Sequence, residues 1–165
     1  MAKADKYSTK YFGEIVVIEE DGHGNTDVLF DNQEINIFLC DYNLYGDKVE
    51  VCLRIMDRYV EINEIAKNAI LKNFFENEII KYYFECHFDV LEEEHLREIF
   101  GVNSFEEMDV KNVVEKLKYP NLLFSIDNNE IAVSVDYMVS EEYSNEILCV
   151  RMDEILNITD FSHES

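Results

Sequence analysis

The sequence contains little proline and glycine, with one Pro and five Gly in 165 residues, and it has no low-complexity segment or internal repeat. Linkers between domains are commonly rich in Pro, Gly and small polar residues. The composition therefore offers no boundary at which to divide the chain. We expect one domain over residues 1–165, in which residues 1–10 form a loose polar lead-in.

Long apolar runs are also missing. No run approaches the roughly 20 residues that a membrane-spanning helix needs, and residues 1–10 lack the apolar region of a secretory signal. The four cysteines, Cys40, Cys52, Cys86 and Cys149, show no paired spacing. We expect a soluble cytoplasmic protein with buried, reduced thiols, and two disulfide bridges are the less favoured alternative.

Basic residues are scarce, with 14 Lys and Arg against 36 Asp and Glu, a formal net charge of −22. Such a charge repels the phosphates of nucleic acids and the surface of an anionic membrane, so neither is expected as a partner. It attracts basic proteins over long distances. Because hydrophobic residues make up 47% of the chain, the charge is expected to surround an ordinary core.

The charge is most concentrated in residues 76–115, which hold 12 acidic and 3 basic residues. Its sharpest cluster is Glu92-Glu93-Glu94. One interpretation is a solvated first helical turn, where carboxylates suit the helix dipole. The other is a surface that binds a partner, and it predicts contacts from Glu92, Glu93, Glu94 and Glu98.

Strand patterns dominate the first 40 residues. A β-branched block marks a strand over Tyr11–Glu20, and the cluster Asp21–Asn25 marks a turn. A short strand over Thr26–Phe30 leads into Gln33–Cys40, where apolar and polar residues alternate. These segments predict a three-stranded antiparallel meander.

The period then becomes helical. Apolar spacing predicts helices over Asp47–Glu61, Glu64–Phe75 and Asn77–Phe88, the last with Ile80, Tyr83, Phe84 and His87 on one stripe. A short helix near residues 91–100 is expected to end at Gly101. Ser104 and Glu107 have the spacing of a capping box, which predicts a helix to about Lys118, stopped by Pro120.

Strands return in the last third. Leu122–Asp127 and Glu130–Tyr137 flank a two-residue turn at Asn128-Asn129, and Ile147–Met152 and Ile155–Asp160 form a second hairpin. Segregated strands, helices and strands predict the α+β class. We expect one antiparallel sheet, formed by the N-terminal meander and the C-terminal hairpins, with the central helical segment packed on it.

Motifs for catalysis or cofactor binding are missing from the sequence. His87 and His95 are eight residues apart, whereas a zinc helix of the HExxH type spaces its histidines by four. The calcium-loop pattern that begins at Asp21 has Thr26 where glycine is needed. No phosphate-binding glycine motif and no local nucleophile motif occurs. We expect no cofactor and no metal, and we lean against an enzyme.

Several segments resemble a bacterial family known only as domain of unknown function number two thousand and four. They are Tyr11-Phe12-Gly13-Glu14-Ile15, Phe84-Glu85-Cys86-His87-Phe88, Asp136-Tyr137, Leu148-Cys149-Val150-Arg151-Met152-Asp153 and Glu164-Ser165. The resemblance implies a small cytoplasmic α+β protein without an established reaction. Some members are suspected of acting near toxin–antitoxin or interbacterial conflict systems, and no catalytic residues carry over.

Three functional hypotheses follow. The first is a non-catalytic acidic binding protein, of the type of an immunity protein that neutralises a basic protein partner. The second is a small hydrolase that uses carboxylates and His87 or His95. The third is an acidic nucleic-acid mimic, which requires two carboxylate rows on one face.

Overall fold

The computed structural model describes residues 4–18, 24–39 and 47–165, and in them a group of helices lies between two groups of strands. The strands are β1 Ala4–Thr9, β2 Gly13–Ile18, β3 Gly24–Phe30, β4 Gln33–Leu39, β5 Lys118–Asp127, β6 Glu130–Met138, β7 Ile147–Asp153 and β8 Ile158–Glu164. The helices are α1 Asp47–Met56, α2 Tyr59–Asn73, α3 Glu78–Val90, α4 Glu93–Phe100 and α5 Val110–Glu115, with a 3-10 turn at Phe105–Glu107. The α+β prediction is confirmed. None of these helices is long and apolar enough to cross a membrane.

The strands of the described residues form two sheets. β1 and β2 pair as an antiparallel hairpin, and the other six strands form a sheet in the order β3-β4-β5-β6-β7-β8. The predicted meander is wrong, because β2 pairs with β1 rather than with β3. The fully antiparallel sheet is also wrong, since β4 and β5 run parallel. A parallel pair needs a long crossover connection, and the helical segment supplies it.

The predicted loose lead-in is a strand over Ala4–Thr9. Its exposed residues Lys6 and Ser8 alternate with half-buried Asp5, Tyr7 and Thr9. Because Asp5 and Thr9 are polar as well, the sequence shows no apolar–polar alternation. At the turn the Thr9 hydroxyl donates to the carbonyl of Gly13 at 2.8 Å, and Gly13 has a φ of 67°. The hairpin therefore has a well-defined turn, and it brings Phe12 against Tyr59 with ring centroids 4.9 Å apart.

The helix boundaries differ from the prediction in two places. The segment Asp47–Glu61 is divided, because α1 ends at Met56 and α2 begins at Tyr59 and continues to Asn73. The expected helix from Ser104 is a 3-10 turn followed by α5. Here the Ser104 hydroxyl donates to the Glu106 carboxylate at 2.6 Å and caps no backbone N–H, while Asp109 caps α5.

Several local predictions are confirmed. Gly101 ends α4 in the left-handed conformation with a φ of 75°. Asn128 and Asn129 have φ values of 49° and 66°, as a two-residue hairpin turn between β5 and β6 requires. The prediction that Pro120 stops a helix is wrong, because α5 ends at Glu115 and Pro120 lies inside β5, beside an irregularity in the pairing with β6.

The last hairpin is displaced from its predicted position. β8 begins at Ile158 instead of Ile155, and the connection from β7 occupies residues 154–157. The Asp153 carboxylate accepts the backbone N–H groups of Ile155 and Asn157 at 3.1 and 2.8 Å. This side-chain–backbone bonding favours a loop over the immediate turn that we expected. Asp21, Gly22, His23 and Cys40 lie outside the described residues, so the turn cluster and the calcium-loop pattern are tested only in part.

The core lies between the inner face of the six-stranded sheet and the helices. Its tyrosines are tied by hydrogen bonds: the Tyr59 hydroxyl donates to the Pro120 carbonyl at 2.9 Å, and the Tyr83 hydroxyl accepts the Val139 N–H at 3.1 Å. Burial raises the pKa of both phenols, so they stay neutral. Tyr83 fixes α3 on β6 and on the segment before β7, and this determines which face of α3 meets solvent.

Candidate protein-binding surface on α3 and α4

Helix α3 has apolar residues on two faces. The predicted stripe of Ile80, Tyr83, Phe84 and His87 is buried. A second set, which sequence reasoning missed, is exposed: it begins with Phe75 just before the helix and continues with Ile79, Tyr82 and Val90. Phe75, Tyr82 and Val90 are 81%, 58% and 74% exposed. We call these four residues the outer stripe.

The spacing of the outer stripe could have been found in the sequence. Ile79, Tyr82 and Val90 are separated by three and eight residues, which places them on one side of a helix, while Phe75 lies in the turn before α3. The buried stripe has the same period, shifted by one position. Periodicity alone cannot say which of two apolar faces is covered, so the signal was ambiguous.

Acidic side chains predominate in the part of the chain that carries the outer stripe. Residues 75–98 contain eight acidic and two basic residues, a net charge of −6. Glu76, Glu78 and Asp89 are exposed among them. Exposed large apolar residues bordered by charge are typical of surfaces that bind other proteins.

The predicted partner-binding residues lie on α4 and are all exposed. Glu92 is the residue before the helix, and Glu93 and Glu94 occupy its first turn. Glu93 pairs with Arg97 at 3.6 Å, and Glu98 accepts a hydrogen bond from the Tyr143 hydroxyl at 3.2 Å. Two of the four carboxylates therefore have intramolecular partners, and the helix-dipole interpretation also fits Glu93 and Glu94. Whether these residues contact a partner stays a prediction.

His95 and His87 are in different environments. The His95 ring stacks on Tyr143 with centroids 4.1 Å apart and is half-buried. His87 is 1% exposed; its Nδ1 lies 2.7 Å from the Tyr83 carbonyl and its Nε2 lies 2.8 Å from the Ser144 hydroxyl. In the tautomer that satisfies both contacts, Nδ1 donates to the carbonyl and Ser144 donates to Nε2. Burial lowers the pKa of His87, so the ring is neutral.

The contacts of His87 indicate a structural role. The Ser144 hydroxyl also accepts the Glu146 N–H at 3.1 Å, so the histidine ties α3 to the loop before β7. A hydroxyl beside a neutral imidazole is also the arrangement of a nucleophile and its base. However, neither His87 nor Ser144 lines the cavity on this side of the molecule, whose lining residues include Cys86 and His163.

That cavity, of about 340 Å³, lies between α3 and β8 beside the outer stripe. Its lining residues combine an apolar wall with carboxylates: Tyr82, Cys86, Val90, Glu146, His163, Glu164 and Ser165. His163 Nε2 is hydrogen-bonded to Glu146 Oε2, and the His163 ring lies 5.6 Å from the Tyr82 ring. We call this cavity the α3–β8 pocket.

Cys86 lies on the wall of the α3–β8 pocket and its thiol is not activated. Burial raises its pKa to about 11, and the negative charges of Glu146 and Asp89 add to the effect. A protonated thiol is a poor nucleophile and a poor metal ligand. Cys52, Cys86 and Cys149 are free thiols, while Cys40 is outside the described residues.

A larger cavity, of about 570 Å³, is lined by Glu98 of α4 and by the segment that follows β6. Its walls carry both signs of charge, since Lys116 and Lys118 face Glu141 and Glu142 across it. Such a lining selects neither cations nor anions. Within residues 4–18, 24–39 and 47–165, no three His, Cys, Asp or Glu side chains are grouped so that they could hold a metal ion.

Comparison with known proteins found no matching family model, no matching curated protein and no matching solved structure. The family resemblance stays a prediction that rests on the quoted segments.

Proposed function

We propose that this chain is a non-catalytic acidic binding protein of the immunity type, which binds and neutralises a basic protein partner. The observation that carries the proposal is the exposure of large apolar residues along α3 together with exposed carboxylates on α3 and on α4. A few residues supply most of the affinity in a protein interface, and aromatic side chains are enriched among them. Complementary charge supplies association rate and selectivity.

The net charge of −22 gives this mechanism a long range. A basic partner is steered toward the most acidic region before it makes contact, which raises the association rate constant. Added salt shortens the range of the field, to about 8 Å at 0.15 M. Steered association must therefore slow as salt is added, whereas dissociation governed by apolar contacts changes less.

The experiment that tests the proposal begins with recovery of a partner. The purified chain is immobilised, proteins from its own host cells are passed over it, and bound proteins are eluted with salt and identified. The partner is then expressed, and its association rate constant is measured from about 0.05 to about 0.5 M salt. We expect a basic partner and a fall in rate of at least about tenfold. Failure to recover a basic protein, or a rate insensitive to salt, would contradict the proposal.

Matched variants separate the surface of α4 from the net charge alone. Two variants are compared, and each carries four Glu→Gln changes that remove four negative charges. One set of changes is at α4, and the other is at exposed positions outside α4. The α4 set is Glu92, Glu93, Glu94 and Glu98, and the control set is Glu34, Glu50, Glu130 and Glu154. We expect the α4 variant to slow association several-fold more than the control. Equal slowing would mean that α4 has no special role in steering.

A further inference from the structure

We infer that the outer stripe and the α3–β8 pocket together form the docking site for a basic amphipathic helix of the partner, with an arginine of that helix seated in the pocket. This inference rests on the proposed function and adds the chemistry and geometry of the contact.

The outer stripe is largely exposed, although the Tyr82 ring contacts His163 and the Phe75 ring contacts Phe74. Tyr83, Phe84 and His87, on the neighbouring face of α3, are buried. The Tyr83 hydroxyl accepts a hydrogen bond from the Val139 N–H, and the His87 ring packs against Phe100. Ile79, Tyr82 and Val90 remain on the surface. From Ile79 to Val90 the stripe spans eleven residues, roughly 16 Å along the helix axis. That length matches about three turns of a partner helix laid along it.

Electrostatic interactions favour a basic helix on the outer stripe over a second copy of this chain or an anionic membrane. A second copy of this chain would bring its own acidic residues against Glu78, Glu85 and Asp89, and like charges facing each other weaken association. An anionic membrane is repelled for the same reason. A helix with an apolar stripe bordered by Lys and Arg can cover the outer stripe and pair with the nearby carboxylates at the same time.

The α3–β8 pocket fits an arginine side chain. Its apolar wall of Tyr82, Cys86 and Val90 can cover the aliphatic part of the side chain. Glu164 is exposed and can pair with the guanidinium, while Glu146, which is hydrogen-bonded to His163, adds negative charge. The exposed ring of Tyr82 also offers a face on which a planar cation stacks. Arginine suits this combination better than lysine, because its guanidinium both stacks and forms paired hydrogen bonds with carboxylates.

The test uses a labelled amphipathic peptide of about 18 residues, with Leu at helical spacing and Arg and Lys on both flanks. A scrambled peptide of the same composition controls for charge alone. The full chain, the double variant Tyr82→Ser/Val90→Ser and the matched double variant Leu29→Ser/Ile155→Ser are compared by fluorescence anisotropy. All four residues are exposed and apolar, so none of the changes removes core packing.

We expect the full chain to bind the amphipathic peptide at least about tenfold more tightly than the scrambled one. The Tyr82/Val90 variant should lose that preference, and the Leu29/Ile155 variant should keep it. Equal binding of both peptides, or equal effects of both variants, overturns the inference. If a basic partner is recovered with salt-dependent association and the Tyr82/Val90 variant still binds it normally, the docking site is wrong while the proposed function stands.

The pocket is tested with Glu164→Gln and with a peptide in which the central arginine is replaced by neutral citrulline. Glu164 is exposed and is not the partner of His163. The variant should weaken binding of the arginine peptide about three-fold or more and leave binding of the citrulline peptide unchanged. Equal weakening of both peptides overturns the arginine assignment. Self-association that the Tyr82/Val90 variant abolishes, or binding of the chain to anionic vesicles, overturns the choice of a basic helix.

Discussion

Asp136 provides the sharpest test of the electrostatics of this fold. It lies on β6, on the outer face of the sheet, in register with Cys149 on β7. Burial raises its pKa from 3.8 to about 6, the Cys149 side chain opposes this with a hydrogen bond, and Glu164 adds a smaller upward effect. A carboxyl with a raised pKa weakens the folded state whenever it is ionised.

The magnitude follows from proton linkage. The shift from 3.8 to about 6 corresponds to roughly 3 kcal/mol at most, because one pKa unit equals 1.36 kcal/mol. Asp136 is only partly buried, so solvent screening reduces this to about 1–2 kcal/mol. The folded state binds the proton more tightly than the unfolded chain does. The contribution of Asp136 to stability is therefore most favourable below about pH 4, declines as the pH rises, and stays low above about pH 6.

The assay is chemical denaturation of the wild type, Asp136→Asn and Asp160→Asn from about pH 4 to pH 8. Asp160 is exposed on the same sheet face, so its variant controls for the loss of one negative charge from a chain of net charge −22. We expect Asp136→Asn to be about 1–2 kcal/mol more stable than the wild type at pH 8, with a melting temperature higher by about 2–8 °C. The gain should disappear near pH 4.

Two results would refute this reasoning. If Asp136→Asn is no more stable than Asp160→Asn at pH 8, burial does not disfavour the ionised carboxylate. If its gain is the same at every pH, the effect comes from packing or hydrogen bonding of the amide and not from titration.

Two further predictions concern His87 and the turn after β5. His87→Ala should lower the free energy of unfolding by about 2–4 kcal/mol, since it leaves a cavity and unpairs the Ser144 hydroxyl, and Ser144→Ala should cost less. Urea denaturation measures both, and unchanged stability together with a lost enzymatic activity would favour the hydrolase instead. Asn129→Val should cost about 1–2 kcal/mol because Asn129 has a φ of 66°, whereas Asn129→Gly should stay within about 0.5 kcal/mol of the wild type. Melting temperatures check this pair, and equal losses from Val and Gly would show that φ is not the cause.

Features that depend on neighbouring residues could be predicted from the sequence. The turn at Asn128-Asn129, the end of α4 at Gly101 and the buried stripe of α3 follow from backbone preferences and from the 3.6-residue period. The order of strands, helices and strands was enough for the fold class. Acidic character is likewise a property of composition, and it determines the kinds of partner that are electrostatically favourable.

Features that depend on distant residues were decided by the tertiary structure. β1 pairs with β2, and β4 pairs in parallel with β5. The residue pattern of a strand does not specify which strand lies beside it. The same limit applies to the candidate surface: Tyr82 and Tyr83 are adjacent in the chain, yet only packing of α3 on the sheet leaves the first exposed and the second buried. Composition determined the net charge of this protein. Tertiary packing decided which apolar side chains stay exposed near the acidic residues, because burial depends on contacts between distant parts of the chain.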